Sequence, residues 1–163
     1  MIKKLAGHFH SLTAKLLELH DSPNALAGGV AIGMFIGFTP LFGLKTLLCL
    51  GAAYLLRCNP IAAVISVSLH DVVTPFWPVL LEIEFKIGWW LMGMFHQLPR
   101  TPPVMHFHIK DVMQWTTFFG VGLPMLVGSM FLSAPAALVS YLLMFPVFRR
   151  AGERRARRAR EGA

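Results

Sequence analysis

Apolar residues in this chain fall into short runs separated by sharp breaks. At the start, Ile2, Leu5, Phe9, Leu12, Leu16 and Leu19 recur at alternating spacings of three and four. That spacing makes one apolar helical seam. Lys3, Lys4, His8, His10, Lys15 and Glu18 lie off it. Residues 1–21 are expected to form an amphipathic helix, lying among lipid headgroups or docked on a membrane core. The same polar residues interrupt the apolar run that a signal peptide would need. Asp21-Ser22-Pro23 ends the segment and starts the next: Ser22 can cap a helix and Pro23 suits its first position.

Residues 25–59 carry the densest pattern. Gly29, Gly33 and Gly37 recur every four residues, with Ala25 one step earlier. On a helix they form a glycine zipper, a smooth stripe where a second backbone can approach closely. The stripe runs into Thr39-Pro40-Leu41-Phe42-Gly43, a helix breaker, and then Lys45 and Thr46 in apolar surroundings. The two arms, 25–38 and 43–56, are fourteen residues each. A full crossing needs about 20 apolar residues, so the pattern predicts a re-entrant hairpin, with two separate crossings as the alternative. Arg57, Asn59 and Pro60 close the unit at an interface.

Residues 61–69 form another short apolar run, interrupted by His70-Asp71-Val72-Val73-Thr74-Pro75. Thr74-Pro75 echoes Thr39-Pro40. Residues 76–95 have the length of one crossing, with Trp77 near one end and Trp89 and Trp90 toward the other. Residues 96–114 read as a polar loop containing Pro99, Pro102 and Pro103. Residues 115–148 contain no charged side chain over thirty-four positions, about 50 Å of helix. A kink at Pro124 or Pro135, or an interfacial stretch over 115–124, is expected there. The divisions that follow are 1–21, a membrane domain over 22–148 (22–59, 60–95, 96–114 and 115–148), and a basic tail over 149–163.

Composition strengthens the membrane reading. Hydrophobic residues make up 55% of the chain, charged residues 14%, and mean hydropathy is +0.59. Soluble domains carry about 25% charged residues. Seven of the fifteen cations sit between Arg149 and Arg160, so the basic character belongs mainly to the tail. Because the tail follows an apolar stretch, it reads as a positive-inside anchor rather than a nucleic-acid surface. Both ends are basic, which places both in the cytoplasm and requires an even number of crossings. Cys49 and Cys58 are expected to be packing residues, not a disulfide framework.

Candidate chemistry lies at the breaks and within residues 76–95. Lys45 follows the Pro40/Gly43 break, where a helix N-terminus and a cation together suit an anion; a lysine reaching toward headgroups is the other reading. Glu82 and Lys86 share a helix face at i,i+4, while Glu84 points about 200° away from Glu82 and needs a partner of its own. These three charges fit either a substrate or proton site or a structural ion pair. His70 and Asp71 fit helix capping or proton transfer. His96, His106 and His108 lack a companion ligand set, so no metal and no cofactor are expected. No nucleotide loop, nucleophile elbow or zinc-protease helix is present, and no enzymatic activity is expected.

Gly29-x3-Gly33-x3-Gly37-x2-Pro40-x2-Gly43-x-Lys45-Thr46, followed by Arg57-x-Asn59-Pro60, resembles a bacterial membrane family catalogued as domain of unknown function 2062. Gly128-Ser129 and Ser140-Tyr141-Leu142-Leu143 add to the resemblance, which spans about residues 20–148. The chain departs from the family at Lys45, where Gln is frequent, and at Asp71-Val72-Val73-Thr74, where Asn-Pro-x-Thr is common. At the level of the hairpin alone, the family resembles small bacterial membrane proteins proposed to move anionic or lipid-linked substrates. The combined expectation is an all-α integral membrane protein of the bacterial inner membrane. It has an amphipathic N-terminal helix, a broken glycine-lined re-entrant hairpin and two or more transmembrane helices. Its expected role is transporter- or flippase-like handling of an anionic, lipid-phosphate-type substrate, with a non-transporting scaffold or lipid-binding partner of an envelope enzyme as the alternative. Thr39, Lys45, Thr46, Asp71, Glu82, Glu84 and Lys86 are the expected substrate contacts. Gly29, Gly33, Gly37, Pro40 and Gly43 are the expected packing positions. Membrane lipids and a second copy of the chain are the expected partners.

Overall fold

The computed structural model describes residues 11–12, 14–16, 18–40, 44–71, 77–95 and 121–161. Within them all regular structure is helical. Short helical stretches between residues 11 and 18 precede α1 (Pro23–Gly37), α2 (Lys45–Leu55), α3 (Pro60–Asp71), α4 (Trp77–Phe95) and α5 (Leu123–Glu161). The second Thr-Pro break, the His96, His106 and His108 positions, Gly43 and the loop expected over 96–114 lie outside the described residues.

Local chemistry sets the helix ends. At the start of α1, Ser22 Oγ accepts from the Ala25 N–H at 3.2 Å, with Pro23 at the first helical position. α3 repeats the device: Asn59 Oδ1 accepts from the Ala62 N–H at 2.8 Å, ahead of Pro60. The α2–α3 connection turns through Arg57 at φ 54°. The Cys58 N–H donates to Ala53 O at 2.8 Å and the Arg57 N–H to Tyr54 O at 3.2 Å, the paired bonds of a left-handed helix stop.

α1 and α3 run side by side in the same direction. A Cβ on Gly29 would fall on Asn59 O and Ala62 Cβ; one on Gly33 would fall on Ala63 O and Ser66 Cβ; one on Gly37 would meet the His70 ring. Residue numbers therefore rise together along both helices, and backbones approach more closely than any side chain would allow. Ser66 Oγ donates to Val30 O at 3.0 Å across this contact. The two helix starts are also joined: Asn59 donates from its backbone N to Ala25 O at 2.9 Å and from Nδ2 to Asp21 Oδ2 at 3.0 Å.

α5 packs antiparallel to α1. Tyr141 Oη and Asn24 Oδ1 are 3.0 Å apart, and Arg155 Nη1 donates to Leu19 O at 2.9 Å. Leu16, Leu26, Ala27, Val30, Ala62 and Phe148 form one buried core there, and Ile32, Ile36, Cys49, Ala53, Ala63 and Val67 form a second among α1, α2 and α3. α4 packs antiparallel to α5 at a glycine crossing: a Cβ on Gly88 would land on Pro124 O, and one on Gly128 on Glu84 O.

Two features of α5 add to the sequence expectation. Pro124 is the second residue of α5 and directly follows a π-helical turn at residues 121–122. The helix also continues without interruption from the apolar stretch through the arginines to Glu161, with Pro135 and Pro146 inside it. A run of Arg and Ala has high helix propensity, so the basic tail extends the helix.

Polarity is arranged outside-in. Leu47, Tyr54 and Leu55 of α2, Trp90 and Met94 of α4, and Phe131, Leu138 and Leu142 of α5 are exposed, while Lys45, His70 and Glu84 are buried. α5 is long and apolar enough to cross a membrane, and only 11% of its apolar window is buried inside the protein. An apolar helix lying outside the core needs an apolar surrounding.

Candidate functional site

The buried polar groups meet where α1 and α3 end together. α1 stops at Gly37, leaving its last carbonyls without helical partners. Thr39 supplies one answer: its N–H and Oγ1 both donate to Ile36 O, at 3.0 and 2.6 Å. Lys45 supplies the other. The first residue of α2, it reaches back so that Nζ donates to Gly37 O at 2.7 Å. A cation there also faces the negative end of the α1 dipole. α3 runs parallel to α1, so its C-terminal end arrives at the same level and brings Asp71, whose Oδ1 lies 3.2 Å from Lys45 Nζ. Lys45 is 6% exposed, whereas the Asp71 side chain is 48% exposed. The pair is thus buried at the amine and open to solvent at the carboxylate.

Two further ionisable groups border the pair. His70 is buried between Gly37 and Phe38, its ring centroid 4.6 Å from that of Phe38, and Nδ1 has no hydrogen-bond partner. The charges of Lys45 and Asp71 both act on it. Glu84 comes from α4. It is fully buried, and neither carboxyl oxygen has a hydrogen-bond partner. Lys45 is the charge that acts on it. The Gly88–Gly128 crossing holds it there, because Gly128 packs on the Glu84 carbonyl with no side chain between. Buried Ser129 and Ser133 lie on the same helix as Gly128 but donate to Leu126 O and Met130 O, carbonyls of α5 itself.

The arrangement is a buried ammonium paired with the Asp71 carboxylate, with a second, unbonded carboxyl, that of Glu84, buried on another helix. A buried carboxyl without a hydrogen bond is chemically unfinished: it needs a proton, a cation or a movement that brings one. Among the described residues no cluster of three His, Cys, Asp or Glu side chains suits a metal ion.

Of the residues expected at the site, Lys45 and Asp71 come together, with Thr39 buried beside Gly37, while Glu84 is buried on α4 within electrostatic reach of Lys45. Thr46 is exposed on α2. Glu82 and Lys86 pair with each other at 2.7 Å on the outer face of α4, both more than half exposed, on the opposite side from Glu84. Sequence reasoning did not place His70, the Gly37 carbonyl or the Gly88–Gly128 crossing at this site. Gly128 was visible only as part of a family likeness, and no periodicity pairs it with Gly88.

No curated protein and no solved structure matches the chain. Residues 7–157 match the family described as an uncharacterized protein conserved in bacteria (DUF2062), and the chain, matched over nearly its whole length, belongs to that family.

Proposed function

We propose that this is a small multi-pass inner-membrane transport protein, flippase-like in action, that handles an anionic substrate of the lipid-phosphate type at Lys45. The observation that carries the reading is the Lys45–Asp71 pair, with its amine buried and its carboxylate half in solvent. A phosphate oxygen can take the place of the Asp71 carboxylate on the ammonium, and Asp71 is already positioned to be hydrated when released. Buried ionisable groups in membrane proteins mark substrate and proton pathways, and irregular backbone at membrane depth is tolerated where it lines such a site.

Helix length supports a re-entrant hairpin for α1–α2. At 15 and 11 residues the arms are about 22 and 16 Å long, short of a hydrocarbon core about 30 Å thick. α4, at 19 residues, has the length of a second crossing beside α5. Exposed leucines on α2 would then meet lipid.

The test is translocation in proteoliposomes. Fluorescent phosphatidylglycerol is expected to cross faster than phosphatidylcholine in vesicles holding the protein, and Lys45→Met to remove the difference. Uptake of radiolabelled sulfate in a parallel arm separates a free anion from a headgroup. No acceleration of either anion would overturn the transport reading and favour the non-transporting scaffold.

A further inference from the structure

Glu84 is fully buried and both its oxygens are without hydrogen bonds, yet a glycine crossing fixes its backbone beside α5. Its electrostatic neighbour is Lys45, already held by Asp71 and Gly37 O. We propose that Glu84 is a proton-binding site whose occupancy decides whether an anion can bind Lys45, so that each anion enters accompanied by one proton. This rests on the reading of Lys45 as the anion contact.

The warrant is a charge count. Lys45 and Asp71 together are neutral. The C-terminal ends of α1 and α3 point their negative dipole ends at the same place. With Glu84 protonated, an arriving anion makes the cluster carry one net negative charge, and displaced Asp71 can hold it at the solvent edge. With Glu84 ionised, the same anion makes the charge two, and the buried carboxylate itself competes for the ammonium. Like charges in a poorly solvated site disfavour one another. The proton comes from water and adds to one carboxyl oxygen, and no other bond changes.

Among the described residues, few other groups can supply the effect. α2 presents Lys45 and buried Cys49; α3 presents His70 and Asp71. α1 carries no ionisable side chain, and α5 carries none between Leu123 and Ser140. On α4 itself, Glu82 and Lys86 pair on the exposed face. Among the described residues, His70 is the rival proton carrier on which the charges of Lys45 and Asp71 act, and the experiment separates the two.

Binding of short-chain phosphatidylglycerol and of inorganic sulfate to the purified protein is measured by calorimetry across about pH 5–9, where neither probe changes charge. Wild-type affinity is expected to fall toward tenfold per pH unit once Glu84 ionises, the slope of one linked proton. Glu84→Gln should bind with no such slope, and His70→Gln should keep it, both with melting temperatures confirming the fold. A lipid-headgroup site favours phosphatidylglycerol over sulfate; a free-anion site binds both. Infrared difference spectra taken over the same range, without any anion, should show a protonated-carboxyl band in the wild type that titrates and is missing in Glu84→Gln. Binding that is independent of pH in the wild type, or a slope that survives in Glu84→Gln, overturns the coupling and leaves Lys45 as the anion contact. Absence of binding in the wild type overturns that contact and the coupling with it. A band that survives in Glu84→Gln, or one that does not titrate, overturns Glu84 as the proton site.

Discussion

Asp71 is the side chain on which the Lys45 cluster depends, because its carboxylate bonds the buried Lys45 ammonium. Asp71→Asn keeps the shape and removes the charge, while Lys45 still donates to Gly37 O at the end of α1. A hydrogen bond to a charged group contributes about 1.5–3 kcal/mol, and removing one partner strands the other. The expected result is a lower melting temperature in detergent, partly restored when Lys45→Met is added, because the stranded charge is then gone. An additive double variant would contradict that coupling. Glu82→Gln offers the contrast: its pair with Lys86 is exposed on both sides, so the expected loss is under about 1 kcal/mol. Sequence spacing was enough to separate Glu84 from Glu82 and to single out Lys45 at the break. It could not identify Lys45's partners. Asp71 is twenty-six positions away, and it reaches the amine only because two helices run parallel and end at one level. For the same reason, the amine of Lys45 serves the C-terminal end of α1, while its place in the sequence pointed to the N-terminal end of α2.

At the scale of elements, glycines decide which helices touch. The four-residue repeat Gly29, Gly33, Gly37 was legible because helical spacing puts all three on one face. The structure adds the partner: α3, with Ala62, Ala63, Ser66 and His70 filling the approach. Gly33→Leu would drive a side chain into the Ala63 carbonyl and Ser66 Cβ. Overpacking of that kind costs about 1–3 kcal/mol or more. Met34, partly buried against the other core, should accept Leu for less than about 1.5 kcal/mol. Melting of both variants in the same detergent decides this, and equal melting temperatures would count against the packing face. The α4–α5 crossing had no such signature, since Gly88 and Gly128 are single glycines in otherwise ordinary apolar runs. Even one methyl group has no room there. Gly128→Ala should therefore lower the melting temperature and also move Glu84, altering the pH response of anion binding, whereas Gly93→Ala, with open space around it, should do neither.

For the whole molecule, the contacts between the ends constrain how it can sit in a bilayer. Arg155 donates to Leu19 O, and Tyr141 meets Asn24, so the start of α1 and the far part of α5 lie at one end of the bundle. That end carries Arg149, Arg150, Arg154, Arg155, Arg157, Arg158 and Arg160 on a helix extending beyond Phe148. Clustered arginines beside an apolar span stay on the cytoplasmic side, and the helix 149–161 would carry them about 18 Å beyond the apolar stretch. In the proposed topology the residues of α1 nearest this end lie on the same side as the arginines, independently of the lysines at positions 3, 4 and 15. The proposed topology, with α5 crossing once, calls for a second crossing to return the chain, and α4, antiparallel to α5 at the Gly88–Gly128 contact, has the direction that would serve. Reporter fusions at Met1 and at Ala163 are expected to give cytoplasmic signals, and an insertion at Thr101, between α4 and α5, an external one. Carbonate extraction should leave the protein in the membrane fraction. An external signal from Ala163 would break the link between the arginine helix and the cytoplasm. Opposite locations for the two ends would require the Arg155–Leu19 contact to be lost in the membrane, since one hydrogen bond cannot join residues on two sides of a bilayer.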